Sequence, residues 1–249
     1  MLDDRGLKPV NPKIGGLRQP VAPRRRGWLR WVLVALLVPA LLLPLVLWLE
    51  GREPRELSQA HLVGERSPLP LGVVVLLDVS GSFYDYADMR QEALDEVMAW
   101  TPSNLRDDDM LTVIAFAERA GVILPATPVA ELAGASLLSS GDLGSSETNL
   151  RPGLEAAARE MPDDLVTTLV VVTDTEVGDL SPGALDEVLR ELKVDAVSAI
   201  VPDGASVSAD WREHVGWSEI VRADPSDAGE VALAVGRSLA HATGQTLEK

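Results

Sequence analysis

The feature that most constrains this 249-residue chain is an uninterrupted apolar segment that runs from Trp31 to Leu49. Its 19 residues carry no charge and include nine Leu and four Val. As a helix the segment would extend about 28 Å at roughly 1.5 Å per residue, which matches the hydrocarbon core of a bilayer. A buried core helix is the alternative, but such a helix does not need to be apolar on every face. We therefore predict a transmembrane helix over residues 28–49.

A cleaved signal peptide is the rival interpretation of the same segment. The apolar run is too long for a signal peptide, and no small-x-small cleavage site follows it, so we predict an uncleaved anchor. Eight Lys or Arg precede the segment and three follow it before residue 70. By the positive-inside rule the chain is a single-pass protein of the cell membrane, with its N-terminus in the cytoplasm and its body outside. Residues 1–27, which are basic and rich in Pro and Gly, are predicted to be a disordered cytoplasmic tail.

The charge and the Cys content exclude several classes of protein. Residues 50–249 carry 14 Lys or Arg against 36 Asp or Glu, a net charge of −22, so this body should repel nucleic acid. The absence of Cys excludes disulfide scaffolds, thiolate metal sites and Cys nucleophiles. Together with the absence of N-glycosylation sequons, it favours a protein of the bacterial cell envelope. Residues 50–70, with three Pro and mixed charges, are predicted to form a stalk.

Strand and helix patterns alternate along the rest of the chain. Continuous apolar runs at 73–77 and 165–173 are typical of parallel strands that are covered on both faces. The alternation predicts a doubly wound α/β domain over residues 71–245, with helices on both faces of a mostly parallel sheet and a short tail at 246–249. Further strands are predicted at 110–117, 122–124, 194–201 and 219–221, and helices around 89–100, at 130–138, and after Leu150, Ser181-Pro182 and Ser226-Asp227.

Three polar sequences follow predicted strands, and ligands of doubly wound domains bind at the carboxyl ends of their strands. They supply Asp78, Ser80 and Ser82 from the first strand, Thr148 from the loop before the Leu150 helix, and Asp174 after strand 165–173. Alone each signal is weak, since Ser or Asp at such places often only caps a helix. Together they form an oxygen-only set, which suits Mg²⁺, Mn²⁺ or Ca²⁺. We predict a metal site exposed at the sheet edge.

At these residues the chain resembles the von Willebrand factor type A family, also called the integrin inserted domain. The metal-ion-dependent adhesion site of that family reads Asp-x-Ser-x-Ser, then a Thr, then an Asp after a hydrophobic strand; Asp78, Ser80, Ser82, Thr148 and Asp174 match it. The resemblance covers residues 71–245 and implies a six-stranded sheet with one short antiparallel edge strand. It also implies a divalent cation, Mg²⁺ before Mn²⁺ or Ca²⁺, whose open coordination position accepts a partner's carboxylate.

Two positions depart from the pattern of the family. Thr175 stands where the family usually has Gly after the last Asp, and this change bears on the flexibility of the loop. Phe83 and Tyr84 stand where the family usually has Met or a similar residue. With Glu147 and Glu176, these two aromatic residues are predicted to form the rim that contacts a partner.

The resulting prediction is a non-catalytic, membrane-anchored module that binds a protein with an exposed Asp or Glu, in adhesion or as a component of an envelope assembly. The alternative is a metal-assisted hydrolase with Glu147 or Glu176 as the general base. The three His residues lie away from the predicted strand ends, and no nucleophile–His pair is visible, so we do not expect an enzyme. These residues are His61, His214 and His241.

Overall fold

The computed structural model describes residues 31, 54–81, 87–139, 141–144, 146–162, 164–207, 219–224 and 226–249. The chain divides into two units, residues 1–49 and residues 50–249, and each is taken by itself. Trp31 is the one described residue of the first unit, so the predicted tail and the predicted transmembrane helix, apart from Trp31, lie outside the described residues. Within the ranges that are described, no helix has both the length and the apolar character needed to cross a bilayer.

The second unit is built on a six-stranded sheet. Its described strands are β1 (His61–Val63), β2 (Leu71–Asp78), β3 (Met110–Phe116), β4 (Ala120–Pro128), β5 (Val166–Val172), β6 (Val194–Pro202), β7 (Glu219–Ala223) and β8 (Thr246–Glu248). The large sheet has the order β4-β3-β2-β5-β6-β7, and only the edge strand β4 is antiparallel to its neighbour. All eight residues of β2 are buried, as its continuous apolar run predicts. The predicted α/β class and mostly parallel sheet are thus confirmed.

Helices cover both faces of this sheet. They are α1 (Ala87–Asn104), α2 (Arg151–Glu160), α3 (Pro182–Glu191) and α4 (Ala228–Thr243). One core lies between the sheet and the pair α1 and α4, with Val97 and Val235 among its buried residues. The other lies beneath α2 and α3, with Leu154 and Leu185. This arrangement follows from strands that are apolar on both faces, since each face must be covered by an apolar helix stripe.

Two elements differ from their predictions. Strand β4 continues past the predicted 122–124, through Pro125 to Pro128. An edge strand tolerates Pro because one side of its backbone needs no ladder hydrogen bonds, and its pairing with β3 shows register shifts around Val113. The predicted helix at 130–138 is a short 3₁₀ helix, Val129–Gly134, which ends at a poor helix former.

Residues 57–63 fall within the predicted stalk, but they pack on the α/β domain. Leu57 and Ala60 are fully buried, and the indole Nε1 of Trp100 donates to the carbonyl oxygen of Ala60 at 2.6 Å. Strand β1 pairs antiparallel with β8, in the segment predicted to be a tail. The physical reason is local burial: two small runs of apolar side chains complete the core beneath α1 and α4. Such sparse apolar residues give no periodic pattern to detect.

The segment between β1 and β2 is held by one buried ion pair. Both nitrogens of the Arg66 fork donate to Asp109, at 2.6 and 2.7 Å, and the Asp109 side chain is fully buried. The backbone N–H groups of Leu71 and Arg106 donate to the same carboxylate at 2.8 and 2.7 Å. Burial alone would raise the pKa of Asp109, but the four hydrogen bonds and the charge of Arg66 outweigh it and hold the pKa below its ordinary value.

Candidate metal site

The candidate site begins where β2 and β5 end side by side. These strands are parallel neighbours, and Leu77 lies opposite Val172, so the residues that follow each strand emerge together at the carboxyl edge. Asp78 ends β2, and Thr173 and Asp174 follow β5. The two predicted carboxylates, Asp78 and Asp174, thus follow from neighbouring strands, and the charge of Asp174 contributes to the raised pKa of Asp78.

Asp78, predicted as part of a metal site exposed at the sheet edge, is itself fully buried. Its Oδ1 accepts the backbone N–H of Ser80 at 2.9 Å. Its Oδ2 accepts the hydroxyl of Thr173 at 2.8 Å. Burial raises the pKa of Asp78, hydrogen bonds from Ser80 and Thr173 oppose this, and Asp174 adds to the rise. The ionised carboxylate therefore carries a desolvation cost that a nearby cation would offset.

Ser80 also lines an open cleft of about 710 Å³. The lining residues are Ser80, Gly81, Ser146, Glu147, Thr148, Asn149, Glu176, Gly178 and Asp179. The cleft therefore brings together two predicted ligands, Ser80 and Thr148, and two predicted rim residues, Glu147 and Glu176. Asp78 and the half-buried Asp174 do not line the cleft, but each accepts the N–H of a residue that does, Ser80 and Glu176 respectively.

Hydrogen bonds join the loop that carries Thr148 to the loop that carries Asp174. The N–H of Gly178 donates to the carbonyl oxygen of Thr148 at 2.8 Å. Asp179 accepts the N–H groups of Leu150 and Arg151, both at 2.9 Å. Helix α2 starts here, and its N-cap residue, Leu150, has no side chain that could bond those groups. Asp179 thus caps α2 from a distant loop, which ties both ligand-bearing loops to one helix terminus.

A third segment braces the same region from the turn between β3 and β4. Glu118 accepts the backbone N–H of Ser146 at 3.0 Å and also bonds the Ser146 hydroxyl. The N–H of Asn149 donates to the carbonyl oxygen of Ala117 at 2.9 Å. The residues on both sides of Thr148 are therefore bonded to neighbouring chain, so the position of its hydroxyl depends on the fold of the whole edge.

Thr175, one of the two departures from the family pattern, adopts a left-handed backbone. Its φ is +68°, a region that a β-branched residue rarely occupies and that Gly adopts without strain. Its N–H donates to the hydroxyl oxygen of Thr173 at 3.1 Å. The turn after Asp174 thus keeps the conformation for which Gly is suited, although the residue is Thr.

The described residues fit a hard divalent cation in their donor chemistry. Asp78, Ser80, Thr148 and Asp174 offer only carboxylate and hydroxyl oxygens, which Mg²⁺ and Ca²⁺ prefer. The part of the chain that the structure describes contains no group of three or more His, Asp or Glu in a metal-binding arrangement. The fifth predicted ligand, Ser82, and the aromatic rim residues Phe83 and Tyr84 lie outside the described residues.

Sequence reasoning missed three residues of this region. Thr173 donates a hydrogen bond to Asp78, and Asp179 caps α2. Arg90 of α1 interacts electrostatically with Asp78. Burial lowers the pKa of Arg90, and the charge of Asp78 opposes that change. Arg90 and Asp179 carry no motif, because their roles depend on contacts between distant segments. Thr173 was detectable in part, as a hydroxyl at the end of a buried strand beside Asp174.

Solved structures were compared with this fold. A von Willebrand factor type A structure from Catenulispora acidiphila aligns with a TM-score of 0.51 and 16% identity, over 69% of this chain and 43% of its own. The fold resembles that of a von Willebrand factor type A domain. Proximal thread matrix protein 1 from the mussel byssus aligns at 0.53 with 16% identity, over 71% of this chain and 50% of its own. Another structure of that mussel protein, with a zinc-occupied metal-ion-dependent adhesion site, aligns at 0.50 with 14% identity, over 78% and 50%.

These likenesses carry the type A fold and nothing beyond it, because the identities are low. This chain also aligns with half or less of each of those proteins. A scan against protein-family models and a search of curated proteins both give no match. Any role of the type A fold in this chain must therefore be argued from its own residues.

Proposed function

We propose that this chain is a membrane-anchored, non-catalytic binding module that captures a protein partner through a divalent cation. Asp78, Ser80, Ser82, Thr148 and Asp174 would hold the cation, with Mg²⁺ the first candidate. The bound cation would supply positive charge and an open coordination position for an Asp or Glu of the partner. The observation that carries the proposal is the buried carboxylate of Asp78, which accepts hydrogen bonds from Thr173 and from Ser80, a residue of the oxygen-lined cleft.

The negative charge of the body limits which partners the proposed site could capture. The body carries a net charge of −22, so a partner carboxylate would meet long-range repulsion on approach. A cation held by the predicted ligands would reverse the sign at one point only. Glu147 and Glu176 at the cleft favour basic groups on either side of the captured carboxylate. The type A fold and the zinc-occupied site of the mussel protein support a divalent cation in general.

The proposal includes the anchor and its orientation. Residues 28–49 would cross the membrane once, and the cation count on either side would place the α/β domain outside the cytoplasm. Protease added to intact cells should then digest the domain and spare the N-terminal tail. Full protection of the domain until the cells are lysed would contradict this orientation.

The metal is tested by titration of Mg²⁺ and Mn²⁺ into the full-length chain by calorimetry. We expect binding in the micromolar to millimolar range, because the set has only two formal negative charges. Asp78→Asn should abolish this binding, whereas Asp186→Asn, at an acid on α3 that contacts Arg190 instead of the cleft, should leave it unchanged. Equal binding by wild type and Asp78→Asn would refute the site.

Partner capture is tested by pull-down with and without EDTA. Capture should disappear with EDTA and weaken in Thr148→Ala, while Thr127→Ala, on the edge strand β4, serves as the matched control. A partner that is retained with EDTA and by Thr148→Ala would show that the domain binds through another surface.

A non-catalytic role is favoured over the hydrolase alternative by the side chains near the cleft. The two described His residues lie in β1 and in the last turn of α4, and neither lines the cleft. Glu147 and Glu176 do line it, so Glu147→Gln and Glu176→Gln test the alternative directly. Metal-dependent hydrolysis of phosphate or carboxylate esters that either variant abolishes would overturn the non-catalytic assignment.

A further inference from the structure

Thr173 lies between Asp78 of the candidate site and the strained turn at Thr175. The residue is fully buried directly after β5 and contributes no atom to the cleft. Its hydroxyl donates to Oδ2 of Asp78 at 2.8 Å and accepts the N–H of Thr175 at 3.1 Å. Thr173 therefore joins a predicted ligand on β2 to the backbone of the loop that carries Asp174.

The direction of this hydrogen-bond chain is fixed by chemistry. A backbone N–H can only donate, so the bond from Thr175 must end on the Thr173 oxygen. The single hydroxyl proton of Thr173 is then committed to Asp78, whose carboxylate accepts. Since Ser80 donates to the other carboxylate oxygen, one oxygen of Asp78 is held from its own loop and the other from the end of the neighbouring strand β5.

The backbone of Thr175 is what aims its N–H at Thr173. A left-handed φ of +68° is unfavourable for a β-branched residue, and such conformations persist where the surroundings over-determine them. Thr175 is itself buried, so its conformation is enclosed by the fold rather than set by solvent. The strained turn and the Thr173 hydroxyl thus form one unit that ends on Asp78.

We infer that Thr173 is a positioning residue for the metal site: it orients the Asp78 carboxylate so that its remaining lone pairs can serve a divalent cation. The inference rests on the proposed function, because it concerns the same cation. Residues that hydrogen-bond a ligand fix its orientation, and their loss costs 10- to 100-fold in metal affinity in characterised sites. Thr173 holds Asp78 in this way without itself reaching the cleft.

The test is calorimetric titration of Mg²⁺ into the full-length chain and its variants. Thr173→Val keeps the shape and removes the donor, and it should bind Mg²⁺ about 10- to 100-fold more weakly than wild type. Thr173→Ser restores the hydroxyl and should bind within about twofold of wild type. Thr101→Val is the matched control, because Thr101 is equally buried and its hydroxyl bonds the Val97 carbonyl, on α1.

Thermal unfolding without metal separates positioning from general destabilisation. Both Val variants lose one buried hydroxyl, so both should melt at a lower temperature, but only Thr173→Val should lose Mg²⁺ affinity. If Thr173→Val does not fold, Thr173→Cys replaces it, since a thiol is a weak donor of similar size, and the same direction of change is expected.

The outcomes distinguish this inference from the proposed function. Wild type that binds no divalent cation contradicts the proposed function, and the inference with it. Wild type that binds Mg²⁺, together with unchanged affinity in Thr173→Val or Thr173→Cys, overturns the inference alone. An equal loss of affinity in Thr101→Val would also overturn it, because the effect would then follow from stability and not from the contact with Asp78.

Discussion

Replacing Arg66 by Ala should destabilise the domain far more than the loss of an ordinary ion pair. The change removes two of the four hydrogen bonds to the buried Asp109 carboxylate. A hydrogen bond to a charged group contributes about 1.5–3 kcal/mol, so the loss of two amounts to about 3–6 kcal/mol. Removal of one partner from a buried ion pair costs about 3–5 kcal/mol, which agrees with that range. We therefore expect a loss of about 3–5 kcal/mol in the free energy of unfolding.

The assay is urea denaturation of the full-length chain, followed by far-ultraviolet circular dichroism. Arg190→Ala is the matched control, because Arg190 forms an exposed ion pair with Asp186 one helical turn away, with an N···O distance of 3.2 Å. Exposed pairs of this kind contribute about 0.3–0.5 kcal/mol. If the two variants lose similar amounts of stability, the reasoning about the buried network is wrong.

The effect should also depend on pH in a defined direction. The pKa of Asp109 in the folded protein lies below its ordinary value of 3.8, so its contribution to stability is complete above that value and is lost as the pH falls through the folded pKa. The difference between wild type and Arg66→Ala should therefore narrow when the pH is lowered from about 7 to about 3. An equal difference at both pH values would show that the charge of Asp109 is not the cause.

Three further predictions concern packing and the loops of the site. A chain truncated to begin at residue 66 should unfold at lower urea concentration than one that begins at residue 54, because it lacks Leu57 and β1; equal midpoints would contradict this. Gly236→Ala should lower the melting temperature, because a Cβ at this position would lie 2.5 Å from Cδ1 of Leu57. The double variant with Leu57→Ala should recover part of that loss. An unchanged melting temperature in Gly236→Ala would show that the Leu57 side chain can move away. Asp179→Ala should speed amide hydrogen exchange at Leu150 and Arg151, with Asp186→Ala as control, and unchanged exchange would refute its capping role.

Much of the fold follows from local patterns in the sequence. Continuous apolar runs mark β2 and β5 because a central parallel strand is covered on both faces. The cap at Ser181 is equally local, and its hydroxyl accepts the N–H of Ala184 in the structure. The packing of Leu57 could not be predicted, because isolated apolar residues in a polar segment have no period.

The residues of the candidate site also divide into those that local sequence patterns reveal and those that they do not. The spacing of Asp78 and Ser80 is a local property, so sequence reasoning finds both and places them on one loop. The bond from Thr173 to Asp78 joins residues 95 positions apart and exists only because β2 and β5 are neighbours in the sheet. A single sequence contains no record of which strands are adjacent. Residues that act across a strand pair are therefore the ones that sequence reasoning misses.

The pairing of β1 with β8 decides how the domain would respond to mechanical tension. His61 lies opposite Glu248 and Val63 opposite Thr246, so the outer ends of both strands are on the same side of the pair. A force that pulls these ends apart would break the hydrogen bonds of the ladder one residue pair at a time. It would not load all of these hydrogen bonds at once, as a shearing force does. Tension that reaches β1 from its N-terminal side would first have to draw the buried Leu57 out of the core, and only then would the ladder open.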